Sequence, residues 1–202
     1  MANLSERLSA NFTLGELLRS STAERDPALK EEQENPPESV LASLRYLVKT
    51  VLQPMRTKLD YPILLNSGYR SPGLNTRVGG SKTSQHVIGE AADCELPLRF
   101  LEDPNAAAVR ADISAKVKEI TGKPLRADLD VNFYLFAFVC LHLDELDIDQ
   151  VIHEFGGGFG HPSWVHVSAS TRLDRRQILA IGKYTNGSYL KPSLEEALAY
   201  GT

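Results

Sequence analysis

Hydrophobic residues recur at three- and four-residue steps from Val40 through Leu44, Leu47, Val51 and Leu52 to Met55, which predicts a long amphipathic helix after the proline pair at 36–37, with Pro54 placed to kink it near its end. Ahead of it, Thr13 and Glu16 stand in a capping-box arrangement before Leu14, Leu17 and Leu18, so a short helix is expected to begin near Leu14. The polar run "TAERDPALKEEQENPP" between them reads as a loop.

After the long helix the period changes. Ile63 to Leu65 form a short apolar run leading into a turn punctuated by Pro72 and Gly73, and "VGGSKTSQH" reads as loop. The small, alternating residues of "GEAADCEL" suit a strand in a close-packed place. From about 103 to 144 the pattern is helical again: Val109, Ile113, Val117 and Ile120 share one face, and "VNFYLFAFVCLHL" is a second, more buried helix. "DIDQVIHEF", "SWVHVSA" and "RQILAIGKY" read as three strands, and "PSLEEALAY" as a final helix. These elements predict one mixed α+β domain over residues 1–202, with no internal repeat.

Composition narrows the function classes. The 202 residues are 42% hydrophobic and 24% charged, enough for one ordinary core. A net charge of −4 supplies no positive field for a phosphate backbone, so nucleic acid is not an expected partner. No apolar run reaches the roughly 18 residues of a membrane span, and "MANLSERLSANFTL" lacks the layout of a signal peptide. The expectation is a monomer made in the cytoplasm. Cys94 and Cys140 lack zinc-ribbon spacing and read as buried reduced thiols; Cys94 follows Asp93 on a strand and points to the other face.

The candidate chemistry lies in "SQHVIGEAAD". His86 follows a loop and Asp93 lies in a strand, so the chain must fold back to join them, and Gly89 permits that turn. A catalytic zinc site takes three protein ligands and keeps a fourth position open. His166 in "WVHVS" is the candidate third ligand, although a lone histidine in a strand is more often a hydrogen-bonded core residue than a metal ligand. His153 neighbours Glu154 and should face away from it, His161 sits in the glycine-rich loop "GGGFGHP", and His142 reads as structural. That loop bridges two strands and lacks a following Lys-Ser/Thr pair, so it reads as a hairpin tip or substrate lid, not a phosphate cradle.

The run "SGYRSPGLNTRVGGSKTSQHVIGEAADCEL", followed by "DQVIHEFGGGFGHPSWVHVS", resembles the zinc peptidases of peptidoglycan. That superfamily comprises D-alanyl-D-alanine carboxypeptidases, D-Ala-D-Ala dipeptidases and phage L-alanyl-D-glutamate endopeptidases, with a fold shared by the amino-terminal domain of hedgehog proteins. The pattern SxHxxGxAxD is complete here as Ser84, His86, Gly89, Ala91 and Asp93, and "FTLGELLRSSTA" with "WVHVS" looks like the branch common in bacteriophages. The resemblance covers about residues 12 to 170, with a helical insertion at about 103–144 placed to wall the substrate cleft.

The resemblance implies a small antiparallel sheet flanked by helices and a Zn2+ ion held by His86, Asp93 and His166. It further implies Glu154 as general base, Arg70 as a substrate-binding and oxyanion-stabilising cation, and Ser84 as a substrate hydrogen-bonding group. Carboxypeptidase-like members carry an acid three residues before the last histidine, where this chain has Ser163; the hedgehog-like layout puts the glutamate at the end of the preceding strand, as "VIHEF" does. The implied function is cleavage of a peptidoglycan stem peptide by a phage endolysin or virion-associated lysin, reaching the cell wall after holin release or virion delivery. A non-catalytic virion structural or wall-binding module is the alternative, and a cytoplasmic D-Ala-D-Ala dipeptidase the third.

Overall fold

The computed structural model describes residues 2–202. Helix α1 (Leu14–Leu18) begins as expected: Glu16 Oε2 accepts the Thr13 N–H at 2.7 Å while Thr13 Oγ1 accepts the Glu16 N–H, and Leu14, Leu17 and Leu18 are buried. The run expected to be a polar loop is instead a 3-10 turn followed by helix α2 (Pro27–Gln33). Periodicity could not reveal α2 because it buries no apolar stripe. It is held by Asp26 capping the Ala28 and Leu29 N–H groups, by Pro27 in the first turn, and by buried Gln33, whose amide donates to the Leu18 and Tyr69 carbonyls.

The long amphipathic helix forms as α3 (Glu38–Leu47) and α4 (Gln53–Leu59), joined by a π-helical turn over Val48–Leu52. Pro54 explains the turn. It has no N–H for the Thr50 carbonyl, and the wider turn, in which the Gln53 N–H donates to Val48 O, makes room for the pyrrolidine ring.

Strand β1 (Leu64–Ser67) is followed by α5 (Pro72–Arg77), where the sequence suggested only a turn; Ser71 caps it and Pro72 takes the first position, so the same residues start a short helix. Then come β2 (Ala91–Glu95), α6 (Ala107–Thr121), α7 (Val131–Leu141), β3 (Gln150–Glu154), β4 (Trp164–Ser168), β5 (Gln177–Ile181) and α8 (Leu194–Leu198). The α+β expectation holds.

The five-stranded sheet has the order β1-β2-β4-β3-β5. It is antiparallel except at β5, which runs parallel to β3. The expected small antiparallel sheet is present, and only its edge pair departs from it, because the short link 169–176 crosses the end of β3. A strand that reverses against β4 must then run with β3.

Alternation divides the sheet into two faces. Ala92, Cys94, Val151, His153, Val165 and Val167 are buried against the helices, α7 chief among them with Phe133 and Phe136 fully buried. Asn132 at the start of α7 straps the sheet to that layer, accepting the Leu96 N–H and donating to Ser163 O, both at 2.9 Å. Asp93, Glu154 and His166 alternate with these residues and face the other way.

Candidate metal centre

Asp93 and His166 are cross-strand partners on β2 and β4. His86 comes to them from the 3-10 turn Gln85–Ile88, which Ser84 caps by accepting the His86 N–H. Gly89 closes that turn at φ 73°, and its missing Cβ leaves room for Val40 O, which a methyl group would meet at 2.8 Å. The expected fold-back is therefore a left-handed glycine wedged against α3.

The three side chains converge. His86 Nε2 lies 3.1 Å from Asp93 Oδ1, His166 Nδ1 lies 3.1 Å from the same oxygen, and the two nitrogens are 3.2 Å apart. All three residues are buried. The other nitrogen of His86, Nδ1, donates to Gly68 O at 2.6 Å. A carbonyl only accepts, so Nδ1 carries a proton, and Nε2 is the nitrogen turned to the carboxylate and available as a metal ligand.

With the facing imidazole nitrogens unprotonated, three electron-pair donors in mutual contact repel unless a cation lies among them. Ligand atoms at zinc bond lengths of about 2.0–2.1 Å in tetrahedral geometry stand about 3.3 Å apart. The observed 3.1–3.2 Å spacings fit that requirement, and two imidazoles with one carboxylate are a donor set that zinc accepts.

Charge around the centre is ordered by strand position. Burial works to raise the Asp93 pKa, but His86 and His166 outweigh it and hold the carboxyl below the usual range. For His166, burial pulls downward and is outweighed by the bond to Asp93 and the nearby Glu154 carboxylate, so its pKa is raised. Arg70 approaches the far side of the carboxylate, Nη2 to Asp93 Oδ2 at 3.7 Å, and its backbone N–H donates to His86 O. Its buried Nε has no hydrogen-bond partner.

Glu154, at the end of β3, sits opposite Trp164 on β4, whose indole N–H donates to Glu154 Oε2 at 2.7 Å. Burial raises the Glu154 pKa. Neighbouring His153 faces the helices as expected, among Phe136, Tyr184 and Tyr200. His161 lies near Asp128, and His142 pairs with Glu145; neither joins the centre.

A cleft of ≈ 800 Å³ opens over the centre and holds Arg70, Ser84, Asp93, Glu154 and His166 in its lining. Its walls come from residues 78–85 on one side and from β5 with residues 189–191 on the other. No residue of 103–144 lines it. The expectation that this segment walls the cleft is therefore corrected: α7 is buried almost throughout in the core behind the sheet, and α6 packs on that side through Ile113 and Val117 with its polar face in solvent. The glycine-rich loop is not a lid over this cleft either, since Phe159 packs on Tyr184 and Tyr200 and the Asp130 N–H donates to Gly160 O.

Sequence reasoning missed Trp164, Gln85, Asp149, Arg175, Tyr189 and Lys191. Trp164 had a signal, because it stands two residues before His166 on one strand and so shares its face. The others are joined by tertiary contacts alone.

A sequence model of the family described as Peptidase M15 matches residues 10–118, just over half of the chain, and so includes Arg70, Ser84, His86 and Asp93. A zinc D-Ala-D-Ala carboxypeptidase from Streptomyces albus G is 49% identical over 43 residues, which are 21% of this chain and 17% of that protein. The chain thus aligns with under a fifth of the length of that relative. Glu154 and His166 lie beyond the family match and are brought to the site by the fold.

Proposed function

The chain belongs to the Peptidase M15 family, and from that premise we propose that it is a zinc metallopeptidase that cleaves a peptide bond in the peptidoglycan stem, as a phage endolysin or virion-associated lysin acting at the cell wall. The observation that carries the reading is the contact of three buried donor atoms, His86 Nε2, Asp93 Oδ1 and His166 Nδ1, two of which belong to residues lining an open cleft.

His86, Asp93 and His166 would hold the metal. Zinc bound there supplies a Lewis acid and lowers the pKa of water in its open position. Glu154 accepts a proton from the attacking water and returns it to the leaving amine nitrogen. Burial tunes it for the first step, since a carboxylate with a raised pKa is a stronger base toward the attacking water. Trp164 fixes the carboxylate with one oxygen occupied and leaves the other for the proton.

Arg70 lies against Asp93 with an unpartnered donor, placed to stabilise the negative charge that develops on the scissile carbonyl oxygen. The Ser84 hydroxyl caps the His86 turn and also lines the cleft, within reach of a substrate carbonyl or carboxylate.

Purified muropeptides digested with the zinc-loaded protein and resolved by mass spectrometry test the proposal. The expected result is a new amine and a new carboxyl at one stem-peptide bond, abolished by a chelator and restored by zinc. Muropeptides left intact by the zinc-loaded protein, or cut equally well in chelator, overturn it.

A further inference from the structure

We infer that the end of the cleft remote from the metal ligands is a carboxylate-binding subsite formed by Arg175 and Lys191. The inference deepens the peptidase reading and rests on it, because it takes the occupant of the cleft to be a peptide.

Strand β5 does not end the sheet. Ala180 and Leu190 exchange both backbone hydrogen bonds, Ala180 N–H to Leu190 O at 3.1 Å and Leu190 N–H to Ala180 O at 2.9 Å, which docks residues 189–191 antiparallel along it. Ala180 faces the core, so the neighbours of its partner Leu190 are turned to the opposite face. Tyr189 and Lys191 accordingly line the cleft.

Arg175 reaches the same cleft from the link between β4 and β5. Its backbone N–H and Nε both donate to Asp149 Oδ1, at 3.0 and 2.9 Å, and Nη2 donates to Oδ2. Asp149 is 1% exposed and also receives the Gln85 amide at 3.0 Å. This buried carboxylate fixes the plane of the guanidinium, and Nη1 makes no hydrogen bond or ion pair among the described residues. Lys191 likewise forms no ion pair among them.

Asp93, Glu154 and Arg70 stand at the metal end of the cleft, and Lys191 and Arg175, the latter paired with Asp149, line the rest of it. Between them lie an apolar floor, Ile152 and Leu179, and the Gln150–Gln177 amide pair. His166, Ile152 and Leu179 are register partners on β4, β3 and β5. Residues 189–191 lie one strand beyond β5, so three strand spacings of about 4.8 Å, roughly 14 Å, separate His166 from Lys191, which an extended peptide crosses in about four residues. A peptide cut at the metal centre thus presents to this part of the cleft a carboxylate about four residues from the cut bond, either an acidic side chain or the chain's own C-terminus.

Calorimetry with the zinc-loaded Glu154→Gln protein tests this without turnover. The probes are a synthetic stem peptide, its C-terminal amide, and its form amidated on the acidic side chains. One amidation is expected to weaken binding about tenfold, and which one identifies the source of the carboxylate. Adding Lys191→Gln should weaken the free-acid peptide about fivefold and remove most of the discrimination, and Arg175→Lys, which keeps a cation for Asp149, should do so in part.

Equal affinity for all three peptides, or discrimination that persists in both variants, overturns the subsite. So does an equal loss for every peptide. Turnover by the wild-type chain is scored separately: cleavage without carboxylate discrimination removes the subsite alone, and discrimination without cleavage removes the peptidase reading alone.

Discussion

The indole N–H of Trp164 donates to Glu154 Oε2 at 2.7 Å, across the pair of strands that also carries His166. Burial raises the Glu154 pKa and this bond opposes the rise. Trp164→Phe keeps most of the volume and removes the donor. Its acid limb of kcat/KM, where the base is lost by protonation, should move to higher pH with the plateau lowered only modestly. Glu154→Gln should lower kcat by about 10²–10⁴-fold while zinc stoichiometry stays at one. A pH–rate profile of each variant checks both statements, and a fully active glutamine variant removes Glu154 from the mechanism.

Zinc affinity should follow the ligand geometry. His86→Ala and Asp93→Asn each remove one of three contacting donors, so competition against a chromophoric chelator should show losses beyond the about 10–100-fold typical of an outer hydrogen-bond partner. Metal that binds only the folded state also stabilises it. Free zinc at a thousand times its Kd should add about 4 kcal/mol, near 10 °C in Tm for a chain of this size, and an unchanged melting curve counts against a preformed site.

What could be read from the chain divides along physical lines. The capping box at Thr13, the stripe from Val40 to Met55 and the alternation in "WVHVS" are local, and each became the element it predicted. The SxHxxGxAxD spacing also located two donors of the candidate centre, because a short turn and a strand bring His86 and Asp93 together wherever the rest of the chain goes. Helix α2 escaped because Gln33 and Asp26 hold it where periodicity looks for apolar residues. The walls of the cleft escaped for a different reason: Gln85, Asp149 and Arg175 meet across 26 to 64 positions of chain and have no shared pattern.

Gly89 is where the turn carrying His86 depends on one residue. An alanine there must adopt φ 73° and push against Val40 O at 2.8 Å and Val40 Cγ1 at 3.0 Å. Gly122 provides the control, since it has φ 71° and a methyl group added there would meet nothing within 4 Å. Gly122→Ala should cost about 1 kcal/mol from backbone strain alone, and Gly89→Ala about 2 kcal/mol or more with weaker zinc binding in the folded fraction. Denaturant unfolding of the two variants compares them directly; equal losses would show that the contact with α3 is relieved by a small shift.

His153 predicts a stability profile independent of the metal. It is fully buried on the face of the sheet away from the cleft, and burial lowers its pKa to about 4. Its Nδ1 lies 2.6 Å from the Tyr184 hydroxyl, which is also 3.1 Å from the carbonyls of His153 and Ile181. The hydroxyl therefore donates to a carbonyl and accepts from Nδ1–H, leaving Nε2 unprotonated among aromatic rings, where it has no partner. Above the unfolded pKa of about 6.5 both states are neutral and the residue adds no pH dependence. As pH falls from there toward 4, the unfolded chain takes the proton first, so stability drops, by about 3 kcal/mol once both states are charged. His153→Asn retains a donor for Tyr184 without a titrating ring. The difference between the wild-type and variant unfolding free energies should be flat above pH 7 and slope between pH 6.5 and 4, and a difference that stays flat through that window refutes the buried neutral imidazole.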